Sequence, residues 1–172
     1  MNKTVMKREA SISFKYNEFS SSEELENGDD ELVAEARRVA LSAYAPYSGF
    51  RVGAAARLES GAVVCGTNVE NAAFPSGICA ERSAVSNAVS NHRDDKIIAI
   101  AVAALTSSGE TEEPVTPCGN CRQVLIEEES RNESKVRVIL AGRSKILVIN
   151  SVSDLLPLHF NKSNLKLILP LQ

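Results

Sequence analysis

The sequence has no long hydrophobic run and no apolar stretch behind its basic N-terminal residues. Its longest uninterrupted apolar segment, Ile97 to Leu105, has nine residues, whereas a membrane-spanning helix needs about 20. Residues 1–13 carry three basic side chains but lack the apolar region that follows such charges in a secretory signal. We therefore expect no membrane partner and a cytoplasmic location.

An excess of positive charge is also missing. The 19 lysine and arginine residues are outnumbered by 22 aspartate and glutamate residues, which gives a net charge of −3 and a pI near 5.5. A chain with this balance has no bulk attraction for the phosphate backbone of nucleic acid. With 172 residues, of which 44% are hydrophobic and 24% charged, the chain has the length and composition of one globular domain.

Apolar spacing along the chain predicts strands and helices in alternation. Residues 32–43 have helical spacing, with Asp29 and Asp30 as start signals and Pro46 as the stop. Further helices are predicted over residues 79–91 and 118–128, with a short one opening at Ser151, and strands over residues 50–58, 62–67, 97–105, 136–141 and 145–149. This order is typical of an α/β layered domain with a mixed sheet of about five strands.

The two ends of the chain lie outside this pattern. Residues 1–28 form an N-terminal extension, in which residues 11–16 alternate like an edge strand and the polar residues 20–31 indicate a linker. Residues 29–160 then form the folded domain. The tail, residues 161–172, is half apolar, so we expect it to dock on another surface.

Two of the four cysteines, Cys118 and Cys121, form a C-x-x-C pair at a predicted helix start. Side chains three residues apart on a helix share a face about 5 to 6 Å apart. Zn–S bonds of about 2.3 Å place two ligand sulfurs roughly 3.8 Å from each other. The pair therefore suits a tetrahedral zinc ion, although a C-x-x-C pair alone also occurs as a redox pair or by chance.

Cys79 adds a third thiol at another predicted helix start, and Glu81 follows it by two positions. Structural zinc sites normally close with four protein ligands, whereas catalytic sites keep three and leave a position for water. Cys65 lies in an apolar run, where a thiol behaves as a small hydrophobe, and His92 and His159 lie far from the C-x-x-C pair in sequence. Three clustered thiols with no fourth candidate therefore indicate an open, catalytic site.

Three thiolates on one Zn²⁺ leave a net negative charge, which the surroundings must offset. Two helix N-termini each present about half a positive charge, and Arg82 is placed to add a full charge and hydrogen bonds to sulfur. Arg122, next to Cys121, is a weaker second candidate. Residues two apart on a helix point about 200° from each other, so Cys79 must lie at the first turn or cap if Glu81 is to face the same ion.

Four segments together closely resemble the small, zinc-dependent cytidine deaminases. They are YAPYSGFRVGAA at residues 44–55, NVENAAFPSGICAER at 68–82, TPCGNCRQ at 116–123 and LLP at 155–157. Zinc deaminases carry a glutamate two residues after the first metal ligand and a later P-C-x-x-C, with three cysteines as one permitted ligand set. The resemblance implies a three-layer α/β/α domain over residues 29–160. Phe74 departs from the pattern, because family members often carry tyrosine there.

The resemblance also assigns roles to individual residues. One zinc ion per chain would be held by three thiols: Cys79, Cys118 and Cys121. Glu81 would move protons during catalysis. Phe50 would pack on the pyrimidine, the backbone around Ala80 would read its polar edge, and Asn68 and Glu70 would hydrogen-bond the ribose hydroxyls.

The reaction that the resemblance implies is hydrolytic deamination of free cytidine and 2′-deoxycytidine to the corresponding uridines, with release of ammonia, as in pyrimidine salvage. Zinc is the cofactor of this chemistry, and the resemblance implies a homotetramer. An alternative within the same class is a deaminase of another aminated pyrimidine nucleoside, such as a nucleoside antibiotic. A zinc-binding protein without catalysis is an alternative from a different class, and the presence of Glu81 argues against it.

Overall fold

The computed structural model describes residues 8–165. Its helices are α1 Asp29–Ala40, α2 Ala80–Asn91 and α3 Gly119–Asn132, and its strands are β1 Asn17–Phe19, β2 Arg51–Leu58, β3 Val63–Thr67, β4 Ile97–Thr106, β5 Gly109–Glu110, β6 Arg137–Ala141 and β7 Ile146–Ile149. Short 3-10 helices cover Ser22–Glu24, Phe74–Ser76, Val152–Leu155 and Lys162–Leu165. None of the helices in this part of the chain has the length and apolar character needed to cross a membrane.

One mixed sheet runs through the molecule in the order β1-β7-β6-β4-β2-β3, with β5 pairing on β4. β4 lies parallel to β6, and all other neighbouring strands are antiparallel. The central register aligns Val102 of β4 with Ala54 of β2 on one side and with Leu140 of β6 on the other. β4 is therefore the buried centre of the sheet, as its continuous apolar run predicts.

Helices cover both faces of the sheet, and successive strand residues alternate between the two faces. On one face, Ala55 and Ala101 pack with Leu32 of α1. On the other face, Ala54 and Ile100 pack with the buried residues of α2 and α3. The molecule is thus a three-layer α/β/α domain with one apolar core on each side of the sheet, and the predicted fold class is confirmed.

Helix α2, which carries part of the site described below, packs directly on β3. The contact requires glycine at position 66, because a Cβ atom there would overlap the backbone of Ala80 and Ala84. Ala84 and Ala88 lie on the inner face of α2 and are almost completely buried. Small residues on both the strand and the helix therefore set how far α2 lies from the sheet.

Over residues 8–165 the sheet has two more strands than the five predicted, namely β1 and β5. β5 has only two residues, too few for an alternating pattern to show. The edge strand β1 directly follows the predicted residues 11–16 instead of coinciding with them. The position of β1 depends on its pairing with β7, which is distant in sequence and has only four residues. In this pairing Asn17 of β1 aligns with Val148 of β7.

Helix α1 begins at Asp29, directly after Gly28, whose backbone is left-handed with φ 72°. Asp29 lies three residues before the first apolar position of the predicted helix.

The division of the chain into residues 1–28, 29–160 and 161–172 stays a prediction. Residues 1–7 and 166–172, at the two ends of that division, lie outside the described residues.

Candidate active site

Two helix N-termini meet at the cysteine cluster. Cys79 is the N-cap residue of α2 and Cys118 is the N-cap residue of α3, both with extended backbone, and Cys121 lies in the first turn of α3. The Sγ atom of Cys118 lies 4.0 Å from that of Cys79 and 3.5 Å from that of Cys121. All three are free thiols whose Sγ atoms lie within 4.8 Å of one another. The structure thus brings the three predicted ligands together.

The donor set fits a zinc ion. Ligand sulfurs of a tetrahedral site are roughly 3.8 Å apart, and the observed separations of 4.0 and 3.5 Å lie on either side of that value. The positive ends of two helix dipoles point at the sulfurs and favour their ionised form. Within residues 8–165, no fourth histidine, cysteine, aspartate or glutamate joins the cluster. A bound ion would therefore keep a coordination position for water.

The three thiols differ in how readily they ionise. Burial raises the pKa of the Cys79 thiol and also that of the Cys121 thiol, where the nearby Glu81 carboxylate adds to the effect. At Cys118 burial acts in the same direction, but the backbone N–H groups of Cys121 and Asn120 and the thiols of Cys121 and Cys79 together outweigh it and lower the pKa. Because a zinc ligand must be deprotonated, binding of a cation here releases protons from Cys79 and Cys121.

Glu81 is the second residue of α2, and its side chain is only 5% exposed. Cys79 has the extended backbone of an N-cap, so the regular helical rotation does not separate the two residues and both lie at the cluster. Burial raises the pKa of the Glu81 carboxyl, against the opposing effects of its own backbone N–H and of the Cys121 thiol. Glu81 therefore keeps a proton to higher pH than an exposed glutamate would.

A cavity of about 240 Å³ opens beside the cluster, and six of its ten lining residues are predicted site residues. The lining consists of Phe50, Val52, Asn68, Cys79, Ala80, Glu81, Val102, Val115, Thr116 and Cys118. The sequence analysis did not identify the three valines, because Val52 and Val102 lie in strand-like apolar segments where a valine looks the same whether it faces the core or a cavity, and Val115 lies in no periodic pattern. Thr116 carried a usable signal, since it precedes the P-C-x-x-C motif. A larger hollow of about 480 Å³ at the other end of α3 is lined without any thiol.

Asn68 lies in the cavity wall, and its amide is anchored to strand β2. Its Nδ2 donates to the carbonyl oxygen of Phe50 at 2.9 Å, and its Oδ1 accepts from the N–H of Val52 at 2.7 Å. These two bonds fix the plane of the amide at the end of the strand. Each end of the amide can still make one more hydrogen bond, because an amide offers two donors and two acceptor lone pairs.

Glu70 does not line the cavity, and its carboxylate instead holds the loop before β2. One oxygen accepts from the N–H of Tyr47 at 2.8 Å and from the N–H of Ser48 at 3.3 Å, and the other accepts from the Ser48 hydroxyl. The Ser48 hydroxyl and the Tyr47 N–H lower the pKa of Glu70. Within one chain, Glu70 is therefore a loop-fixing carboxylate next to the cavity wall.

Neither predicted arginine donates a hydrogen bond to a cysteine sulfur. In the part of the chain that the structure describes, the Arg82 side chain makes no hydrogen bond, and its contribution is a charge that acts to lower the pKa of Glu81. Arg122 donates from Nε to the carbonyl oxygen of Pro117 and from Nη1 to that of Leu155, both at 2.8 Å. Arg122, the weaker candidate of the two, thus makes more side-chain hydrogen bonds within the described residues than Arg82.

The chain is similar in sequence to known proteins. A family model described as the cytidine and deoxycytidylate deaminase zinc-binding region matches residues 26–136. The cytidine deaminase of Halalkalibacterium halodurans is 40% identical over 134 residues, which cover 78% of this chain and 95% of that protein. The cytidine deaminase of Mycobacterium tuberculosis is 36% identical over 139 residues, which cover 78% of this chain and 90% of that protein.

Solved structures have the same fold. The crystal structure of cytidine deaminase from Burkholderia pseudomallei matches with a TM-score of 0.65 and 38% identity, over 76% of this chain and 97% of that one. The cytidine deaminase structure from Mycobacterium tuberculosis matches with a TM-score of 0.60 and 32% identity, over 77% of this chain and 96% of that one. Fold and thiol cluster together define a zinc-binding deaminase domain. The chain belongs to the cytidine and deoxycytidylate deaminase family, as its motifs predict.

Proposed function

We propose that this chain is a zinc-dependent hydrolase that converts free cytidine and 2′-deoxycytidine into uridine and 2′-deoxyuridine and releases ammonia. The observation that carries the proposal is the buried Glu81 in a cavity whose wall also contains Cys79 and Cys118. Similar proteins from two bacteria are cytidine deaminases, which supports the same class of substrate here. The reaction would serve pyrimidine salvage.

The three clustered thiols, Cys79, Cys118 and Cys121, would hold one zinc ion per chain. A zinc ion in this position supplies Lewis-acid activation of water at neutral pH. The helix N-termini at Cys79 and Cys118 and the charge of Arg82 would offset the negative charge of the sulfurs. Arg82 would act through this charge, because no hydrogen bond joins it to a sulfur within residues 8–165.

Glu81 would be the proton carrier of the chain. Its carboxylate would take a proton from the attacking water and deliver it to N3 of the pyrimidine, which makes C4 electrophilic. It would then carry the second proton of that water to the departing amino group, so that one water is consumed and one ammonia leaves. Burial raises the pKa of Glu81, which makes its carboxylate a stronger base toward the attacking water and lets it hold the proton until delivery.

The pyrimidine would bind against the apolar part of the cavity. Phe50, Val52 and Val102 form that wall, and an aromatic ring next to a flat base gives stacking contact. The backbone at Ala80, the first residue of α2, would read the polar edge of the base. This arrangement would orient C4 toward Glu81 and keep bulk water away from the reacting atoms.

The ribose would bind at Asn68 and Glu70. Asn68 is held by β2 on one side and keeps one N–H and one lone pair for a hydroxyl. Glu70 would reach a hydroxyl through the lone pairs that its bonds to Tyr47 and Ser48 leave unused. These contacts favour a nucleoside over a free base.

We extend the proposal to a homotetramer in the cytoplasm. The cavity of about 240 Å³ is smaller than the roughly 300 to 1,000 Å³ of most small-molecule sites, so a neighbouring chain would complete it. Phe74 is 82% exposed and Leu158 is 83% exposed, and both would lie in the contacts between subunits. The free thiols of the described cysteines suit a reducing compartment. Light scattering on the purified protein would give the mass of the assembly.

A nucleoside panel combined with elemental analysis tests the proposed function. We expect about one zinc per chain, loss of cytidine absorbance together with ammonia release, and no turnover after chelation. Other aminated pyrimidine nucleosides belong in the panel, and faster turnover of one of them would select the alternative substrate. Zinc-loaded protein that releases ammonia from no nucleoside would refute the proposal.

A further inference from the structure

Arg122 makes three hydrogen bonds that the proposed reaction does not explain. Its Nε donates to the carbonyl oxygen of Pro117 at 2.8 Å, its Nη1 to that of Leu155 at 2.8 Å, and its Nη2 to Oγ1 of Thr116 at 3.3 Å. All three guanidinium nitrogens are therefore in use. The hydrogen bonds join one segment that precedes Arg122 in the sequence, at Thr116 and Pro117, to another that follows it, at Leu155.

One of these segments, residues 114–117, leads directly into the thiol of Cys118 and contributes Thr116 to the cavity wall. It has no regular secondary structure, and its two prolines have no N–H to donate. Within residues 8–165 its backbone makes no hydrogen bond to other backbone groups, and the side-chain hydrogen bonds that it receives come from Arg122. Pro117 is also buried, but within residues 8–165 Arg122 is the side chain that hydrogen-bonds the peptide before Cys118.

The other segment is the 3-10 helix Val152–Leu155, which we call the C-terminal brace. Its first turn is held by Glu129 of α3, whose carboxylate accepts from the N–H of Val152 at 2.8 Å and from the Ser153 hydroxyl at 2.6 Å. Arg122 and Glu129 lie two turns apart on the same side of α3. Glu129 contacts the N-terminal end of the brace, and Arg122 contacts its C-terminal end. A negative charge at the N-terminal end and a positive charge at the C-terminal end are favourable for a helix dipole.

We propose that Arg122 is a positioning residue of the zinc site, which holds the approach to Cys118 against the C-terminal brace. Without the guanidinium, residues 114–117 lose their hydrogen bonds, and both Cys118 and the cavity wall at Thr116 lose their fixed position. Groups that orient metal ligands in this way commonly change metal affinity or activity by about 10- to 100-fold. The consequence for catalysis rests on the proposed function, whereas the consequence for metal retention does not.

The rate of zinc release from the zinc-loaded chain to a chromophoric chelator tests this inference. We expect Arg122→Ala to release zinc about 10- to 100-fold faster than the unchanged chain. Arg122→Lys should release zinc almost as fast as Arg122→Ala, because an ammonium keeps the charge but lacks the planar fork that reaches separate acceptors. Arg38→Ala is the matched control with an unchanged rate, since Arg38 is 63% exposed and pairs with Glu35 on the surface.

Two results would overturn the inference. One is equal release by Arg122→Ala and the unchanged chain, and the other is full recovery by Arg122→Lys, which would show that charge alone acts. Thermal unfolding of each metal-free chain is the second readout. A lower unfolding midpoint together with unchanged zinc release from the folded chain is the first of these two results, and it would assign Arg122 a role in overall stability alone.

The same samples separate this inference from the proposed function. If Arg122→Ala folds poorly, Arg122→Lys against the unchanged chain still gives a decisive comparison of release rates. Should the unchanged chain deaminate no nucleoside while Arg122→Ala still loses zinc faster, the proposed function fails and the positioning role stands. Should deamination occur while all release rates agree, the positioning role fails and the proposed function stands.

Discussion

Replacing Glu81 with glutamine would remove the proton carrier and leave the rest of the site in place. Glutamine has nearly the same size and keeps hydrogen-bonding atoms, but it does not exchange protons near neutral pH. The side chain is 5% exposed, so an isosteric replacement preserves its packing. Glu81 does not belong to the cluster of three cysteines that would hold the zinc ion. We therefore expect Glu81→Gln to bind zinc in the same ratio as the unchanged chain.

The loss of turnover follows from the two proton transfers assigned to this one group. A positioned acid–base residue contributes roughly 10² to 10⁴ in rate, and the higher figure applies here because Glu81 serves both transfers and is only 5% exposed. A factor of about 10⁴ corresponds to about 5.4 kcal/mol of lost transition-state stabilisation. The change should appear in kcat, because glutamine keeps the shape of the cavity for the substrate.

The assay is ammonia release under steady-state conditions, with zinc per chain measured on the same sample. Glu128→Gln is the matched control: Glu128 is also 5% exposed, but it lies on α3 outside the cavity lining and pairs with Arg131 at 2.5 Å. We expect its kcat to be unchanged. Glu81→Gln with full zinc and more than about one hundredth of the normal kcat would refute the reasoning. Loss of zinc would show that Glu81 serves the metal.

Three further predictions concern the metal, the pH dependence of stability and the packing of α2. Cys118→Ala should purify without zinc and without activity, and full zinc occupancy in that variant would mean that other ligands hold the ion. Burial raises the pKa of Glu128 in the folded chain above its unfolded value of about 4.5. The protonated Glu128 side chain therefore contributes fully to the free energy of unfolding below about pH 4.5, and this contribution is lost as the pH rises through the pKa of the folded chain. Glu128→Gln should therefore gain stability relative to the unchanged chain with rising pH, and a difference in unfolding midpoint that stays constant from about pH 4 to about pH 8 would contradict this. Gly66→Ala should lower the free energy of unfolding by about 3 kcal/mol or more, because its Cβ would overlap the backbone of α2, and a normal denaturation midpoint would contradict the close contact.

Elements with a continuous local pattern were predicted from the sequence almost to their ends. The helix predicted over residues 79–91 is observed at Ala80–Asn91, and the strand predicted over residues 97–105 is observed at Ile97–Thr106. Apolar periodicity decides such elements because their burial is continuous along the chain. The meeting of Cys79 and Cys118, which are 39 residues apart, could be predicted because the family motifs contain both.

Features that depend on a single distant contact could not be predicted. The Glu70 carboxylate bonds a loop 23 residues away, and Arg122 bonds a carbonyl 33 residues away. Neither contact leaves a periodic signal, since one side chain and one backbone group are enough to make it. The same holds for β1, whose register is set by β7. For Glu81, helix geometry predicted that Cys79 must lie at the first turn or cap of α2, and the extended backbone of Cys79 at the N-cap meets this requirement.

Helices α2 and α3 both have a cysteine as N-cap residue, and the Cys79 side chain does not cap the free N–H groups of α2. Serine, threonine, aspartate or asparagine normally does so, and the loss of such a cap weakens a helix start by about 1 kcal/mol. Both N-cap positions thus carry a proposed metal ligand instead of an ordinary cap residue. A cation bound by these cysteines would tie the two helix starts together, so its removal would weaken both helix starts as well as stop turnover.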